Sequence, residues 1–242
     1  MTRRYEQPKK KNFIWGIGLI LVIGGGLYLF LFSGFFNIGF ILVENNSFYS
    51  ETDIIEKTKV QYGTNQFKVK LSEVRDNLLN DPYIKGVTID RKLPDKLVIQ
   101  IVERKESACI EFMGKWLIID EEGYALRIAD TLPEYSILDG FTIIDFTVGD
   151  KIQVKEEDEL YPVLKVIQGM NKNNLFFKNV GIKGQEMVLY ISDNLTCKGE
   201  VDVLLESMDA LRDILYDLHK RGVKRGTIHI RGNGYYSYSP LE

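Results

Sequence analysis

Residues that usually carry chemistry are scarce in this 242-residue chain, which has two histidines and two cysteines. His219 sits near the end of a helical pattern, where it suits the helix dipole or plain solvent. His229 lies in a strand pattern, the usual place of a partly buried structural imidazole. Cys109 and Cys197 stand 88 residues apart, each in an apolar, strand-like context. They read as separate buried thiols, and a single disulfide outside the cytoplasm is the alternative. No metal-type spacing joins these residues, and no G-x-S-x-G, H-E-x-x-H or P-loop occurs. The run Glu156-Glu157-Asp158-Glu159 is most simply a solvated first helical turn matched to the dipole. Asp76, Asp81, Asp90 and Asp95 are scattered over helix, turn and strand positions. The sequence therefore proposes no catalytic residue, no metal and no cofactor, and reads as a binder.

An excess of one charge is also lacking: 31 basic against 34 acidic residues give a net charge of −3. That excludes a strongly cationic nucleic-acid binder, and 45% hydrophobic with 27% charged residues excludes disorder throughout. The near-neutral total is uneven along the chain. Residues 13–36 hold no ionisable side chain other than Tyr28 over 24 positions, enough for a helix of about 36 Å against a hydrocarbon core of about 30 Å. The run is too long for the apolar part of a cleavable signal peptide. Arg3, Arg4, Lys9, Lys10 and Lys11 precede it against Glu6 alone, so the positive-inside rule puts residues 1–12 in the cytoplasm. The sum is then about +4 inside and −7 outside. Gly24-Gly25-Gly26 shows no G-x-x-x-G spacing, so dimerisation through the span is weakly supported.

Beyond the span, Ile38, Ile41 and Val43 predict a short strand and Asn45-Asn46 a turn. Ser50 with Asp53 resembles a capping box opening a helix that Gly63 can end. Leu71, Val74, Leu78 and Leu79 form the apolar stripe of a second helix, stopped by Asn80-Asp81-Pro82. Alternating apolar residues on either side of Leu93-Pro94-Asp95-Lys96 predict a hairpin, with Pro94 at the second turn position. The order strand, helix, helix, strand, strand suits a two-layer module. These residues carry a resemblance. The stretch from Ile38 to Asn46, the pair Asn65 and Phe67, then Asp81, Pro82 and Ile84, and finally Arg91, Pro94, Leu97, Ile99, Glu103 and Arg104 are together similar to the FtsQ/DivIB cell-division family. Its first outer module is a POTRA domain, and the resemblance makes Val43, Asn46, Pro82, Arg91, Pro94, Leu97, Glu103 and Arg104 structural motif residues. Asn45 stands where the family usually has glycine, Leu93 where an aromatic is common, and Glu106-Ser107-Ala108 where Pro-hydrophobic-Ala is usual.

Past residue 105, three short strands over 108–112, 116–120 and 124–128 predict a β-meander. A helix over 156–171 includes Pro162, in its first turn or at a kink. Strands over 175–182, 187–191 and 195–198 follow, then a helix over 202–220 with Leu204, Met208, Leu211, Ile214 and Leu218 on one face. The expected architecture is α+β: a single N-terminal transmembrane helix (13–36), a POTRA domain of β-α-α-β-β order (37–105), and a mostly antiparallel β domain with two helices (106–232), ending in a tail (233–242). The last strand, Thr227, Ile228, His229, Ile230 and Arg231, with Tyr235, Tyr236, Tyr238 and Pro240 in the tail, is the candidate partner-binding edge. The alternative is that Ile228 and Ile230 only pack the core. The resemblance implies a scaffold in the cell membrane at the division septum, with its C-terminal domains outside. Its implied partners are FtsB/DivIC-like and FtsL-like bitopic proteins and other divisome membrane proteins, its implied role support of septum formation and of septal peptidoglycan synthesis, with no nucleic acid and no small-molecule substrate. A POTRA-containing transport component and a membrane-anchored wall hydrolase are the competing readings.

Overall fold

The computed structural model describes residues 10–232 and 235–240, with the side chains of the first helix described from Trp15 onward. The basic residues Arg3, Arg4 and Lys9 lie outside the described residues. The chain divides into two compact units, one formed by Met1–Asn80 with Ile84–Glu103, the other by Asp81–Tyr83 with Arg104–Glu242.

In the first unit, helix α1 spans Lys10–Leu31. Five successive side chains from Leu19 to Ile23, more than a full turn, are each 60–73% exposed and all aliphatic. Among the described residues no helix is long and apolar enough to cross a membrane. The expected span began at Phe13, and the side chains of residues 13 and 14 fall outside those described. Its far end needs correction: the helix stops at Leu31, because Ser33 accepts a hydrogen bond from the Phe35 N–H and opens a separate 3-10 turn, Gly34–Phe36.

Strand β1 (Phe40–Glu44), helices α2 (Glu51–Thr58) and α3 (Leu71–Leu79), and the hairpin β2 (Ile84–Lys92) and β3 (Lys96–Glu103) follow in the predicted order. β3 is central, parallel to β1 and antiparallel to β2. Both halves of the Ser50–Asp53 capping box are present at α2. Its end differs from expectation: α2 stops at Thr58, with Lys59 in the left-handed region at φ 59°. The Thr58 hydroxyl donates to Ile55 O at 2.6 Å and accepts from the Val60 N–H at 3.0 Å, so the side chain replaces the next helical turn. Gly63 instead serves the following loop at φ 80°, donating to Ile38 O at 2.8 Å. Ile41, Ile54, Val74, Leu78, Leu97, Ile99 and Ile101 form one buried cluster between the helix pair and the sheet.

The second unit is built on a nine-stranded sheet. β4 (Ala108–Phe112), β5 (Lys115–Ile119) and β6 (Ala125–Ala129) form the predicted meander. β7 (Ser136–Asp139) then lies parallel to β4, followed by the small pair β8 (Ile143–Asp145) and β9 (Gln153–Val154) and by helix α4 (Glu157–Lys172). Pro162 is the sixth residue of α4, past its first turn, which was one of the two places the sequence allowed for it. The sheet continues through β10 (Asn179–Lys183), β11 (Glu186–Ser192) and β12 (Leu195–Gly199). The single helix predicted over 202–220 is two, α5 (Val201–Glu206) and α6 (Met208–Lys220), divided at the buried Ser207. The break keeps Leu204, Met208 and Leu211 together in the core. β13 (Gly226–Ile230) and β14 (Tyr236–Ser239) complete the order β14-β13-β12-β11-β10-β7-β4-β5-β6. Parallel neighbours need long crossovers: α4 lies between β7 and β10 in the chain, α5 and α6 between β12 and β13, and the strands β5 and β6 between β4 and β7.

Candidate partner-binding edge

The predicted edge requires a correction. β13, which carries Thr227, Ile228, His229 and Ile230, is paired on both sides, parallel to β12 and antiparallel to β14. The tail folds back, with the Tyr235 N–H on Gly232 O at 2.9 Å and the Arg231 N–H on Tyr235 O at 3.0 Å, and its residues Tyr236–Ser239 become the terminal strand. Among the described residues no strand lies on the outer side of β14. Composition hid this turn, because Tyr-Ser-Tyr-Ser is too short and polar to announce a strand by periodicity.

Register sorts the candidate residues into two faces. Ile228 pairs with Tyr238 and Ile230 with Tyr236, so these four point to the helix-covered side. Ile228 is fully buried and Ile230 nearly so, among Leu204, Leu211 and Leu218, and Tyr238 is half-buried against the same cluster. Thr227 with Ser239 and His229 with Ser237 form the other face, where Thr227 Oγ1 lies 3.2 Å from Thr196 Oγ1. Arg231, Tyr235, Tyr236 and Pro240 are exposed at the edge. A residue that sequence reasoning missed fixes the hairpin: Gly226, at φ 131°, lies so close to β14 that a Cβ would sit 2.6 Å from Ser239 O and from the Tyr238 ring. The Tyr238 hydroxyl donates to Arg225 O, clamping the strand end.

The motif residues divide between the two units. Val43 and Leu97 pack the first core. Arg91 donates to Gln66 O at 3.0 Å and to Val69 O at 2.7 Å, pinning the loop before α3, and Pro94 O accepts from Gln66 Nε2 at 2.6 Å. Glu103 accepts the backbone N–H groups of Ser47, Phe48 and Tyr49 at 2.8, 2.8 and 3.1 Å, while Asn46 Nδ2 donates to Tyr49 O at 2.9 Å. Asn45 takes the left-handed conformation at φ 66° that the turn demands. Pro82 and Arg104 belong to the second unit. There the buried Arg104 guanidinium meets Asp120 at 2.6 Å and Glu122 at 3.2 Å, 3.5 Å above the Tyr124 ring.

Glu106, where the family pattern usually has proline, anchors a polar cluster. It accepts from Tyr83 Oη at 2.5 Å and from Arg127 at 2.6 and 2.9 Å. Burial opposes its ionisation, but the hydrogen bonds from Arg127, Tyr83 and Tyr135 outweigh it and hold the carboxyl below its usual range. Burial pushes both thiols, Cys109 and Cys197, up to about 12, and the two cysteines are free. Among the described residues no group of three or more His, Cys, Asp or Glu could hold a metal ion.

Residues 36–104 match the family model described as "POTRA domain, FtsQ-type". Relatives named as DivIB and FtsQ cell division proteins also match. It is 31% identical over 167 residues to the "Cell division protein DivIB" of Clostridium tetani, an alignment taking in 61% of this chain and 63% of that protein. It is 36% identical over 120 residues to the protein of the same name from Clostridium acetobutylicum, 49% of this chain and 48% of that protein. It is 26% identical over 170 residues to the "Cell division protein FtsQ" of Rickettsia typhi, 57% of this chain and 64% of that protein. The chain thus spans between about half and two thirds of these FtsQ/DivIB relatives' lengths.

Proposed function

We propose that this chain is a membrane-anchored cell-division protein that acts by holding other division proteins outside the cytoplasm, without catalysing a reaction. The names of its relatives support the process. The anchor is supported by α1, whose exposed aliphatic circumference would be costly in water and is at home in hydrocarbon. The basic residues before it support an N-terminus on the cytoplasmic side.

The binding reading rests on β14. An unpaired strand edge offers a row of N–H and C=O groups to an extended partner chain, and the tyrosines beside it are typical of interfaces. The partners proposed are FtsB/DivIC-like and FtsL-like bitopic proteins, and the consequence proposed is assembly at the septum and control of peptidoglycan synthesis there. Since Ile228 is core, the test leaves it alone. Ser237→Lys places charge on the face of the edge strand away from the helices, and Tyr236→Glu places it at an exposed position of the same strand, while Ile228 and Ile230 are left unchanged. Capture of a DivIC-like ectodomain by the full chain should fall at least about tenfold, a loss of roughly 1.4 kcal/mol, with circular dichroism unchanged. Undiminished capture by either folded variant would sink the edge proposal.

A further inference from the structure

The end of α1 is tied to the first unit by specific contacts. The buried Asn65 donates through Nδ2 to Leu31 O and Ser33 O, both at 3.0 Å, which satisfies carbonyls that the helix end leaves open. Phe36 is buried and packs edge-on against Phe30 of α1 and Phe67, each 5.2 Å between centroids. From this knot the contacts run on to the β2–β3 turn: Gln66 reaches Pro94 O, and the Gly39 and Phe40 N–H groups donate to Asp95 O at 2.8 and 3.2 Å. The turn is therefore held at the same end of the unit as the last turn of α1.

The side chains exposed at that end alternate between apolar and cationic. Phe35 is 60%, Phe40 55% and Leu93 57% exposed, and Lys68, Lys92 and Lys96 are exposed beside them. Lys92 and Lys96 face each other across the hairpin, and Lys96 Nζ lies 5.7 Å from the Phe40 ring centroid. Such a mixture wastes apolar surface in water but fits a bilayer interface, with rings and leucine at the acyl boundary and ammonium groups on phosphate.

We propose that the β2–β3 turn and the Phe35–Phe40 segment sit in the headgroup layer of the outer leaflet, with Lys92 and Lys96 on anionic lipid headgroups. The inference rests on α1 crossing the membrane, because that reading fixes where its end lies. It makes the POTRA domain a part seated on the membrane, held at a set height, and leaves its far end, where α2 begins, toward solution.

The full chain is reconstituted into vesicles of phosphatidylcholine alone or with phosphatidylglycerol. Single cysteines, Leu93→Cys, Glu51→Cys or Val22→Cys, carry an environment-sensitive fluorophore, the two native thiols being buried and protonated. Shallow spin-labelled lipid should quench the Leu93 probe several-fold more than the Glu51 probe, and deep spin-labelled lipid should quench the Val22 probe. Phosphatidylglycerol should strengthen the Leu93 quenching, and Lys92→Glu with Lys96→Glu should abolish that increment. A quenched Val22 probe with Leu93 no different from Glu51 would overturn the seating while keeping the anchor. An unquenched Val22 probe would overturn both, and a Leu93 signal indifferent to phosphatidylglycerol would overturn the headgroup contact.

Discussion

Two neighbouring residues, Glu103 and Arg104, serve different units. Glu103 gathers three backbone N–H groups of the loop before α2, and Arg104 neutralises Asp120 in the second unit. Replacing Glu103 with Ala should cost roughly 1–3 kcal/mol, since those donors lose a charged acceptor. Arg104→Met should cost more, about 3–5 kcal/mol, because the buried Asp120 loses the cationic partner of its second oxygen. Asp120→Asn in that background should recover part of the loss, its remaining oxygen still accepting from the Glu122 and Tyr124 N–H groups. Urea unfolding of the single and double variants measures this, and an unchanged or further lowered stability in the double variant would contradict it. The Glu-Arg pair was visible in the sequence as a motif. Its division of labour was not, because both partners of Arg104 lie more than a dozen positions away in a strand turn.

At the scale of elements, the Glu106 cluster joins β6, through Arg127, to the segment holding Tyr83. Its carboxyl titrates below the ordinary value of 4.5 in the folded protein. The native state therefore binds fewer protons than the unfolded chain in the acid range, and stability rises with pH there. The contribution is fully present above about 4.5 and is lost as pH falls through the lowered folded value. The stability gap between the wild type and Glu106→Gln should accordingly be widest near neutrality and narrow on acidification, as read by denaturant titration. A gap that grows in acid would contradict this. Helices and the meander were legible because burial imposes periods of 3.6 and 2 on a chain. The α5–α6 break was not, since Leu204, Met208, Leu211, Ile214 and Leu218 keep one apolar face through it.

On the scale of the whole chain, two separate buried clusters imply two cooperative units. Leu97→Ala removes a fully buried side chain from the first and should cost roughly 2–5 kcal/mol. Hydrogen exchange should show the loss in β2 and β3, with β4 and β11 keeping their protection, whereas equal loss in both units would refute their independence.

The apolar run, the basic residues before it, the β-α-α-β-β order and the motif spacing are local patterns, each written in contiguous residues, so the sequence alone determined them. The identity of the exposed edge was a different matter. Whether β13 or the tail ends the sheet depends on a backfolded turn and on the close approach that Gly226 permits, and the neighbours of Glu106 and Asn65 depend on pairings between distant segments. Those pairings are selected by the balance of burial and hydrogen bonding over the folded chain, so only the tertiary structure decided them.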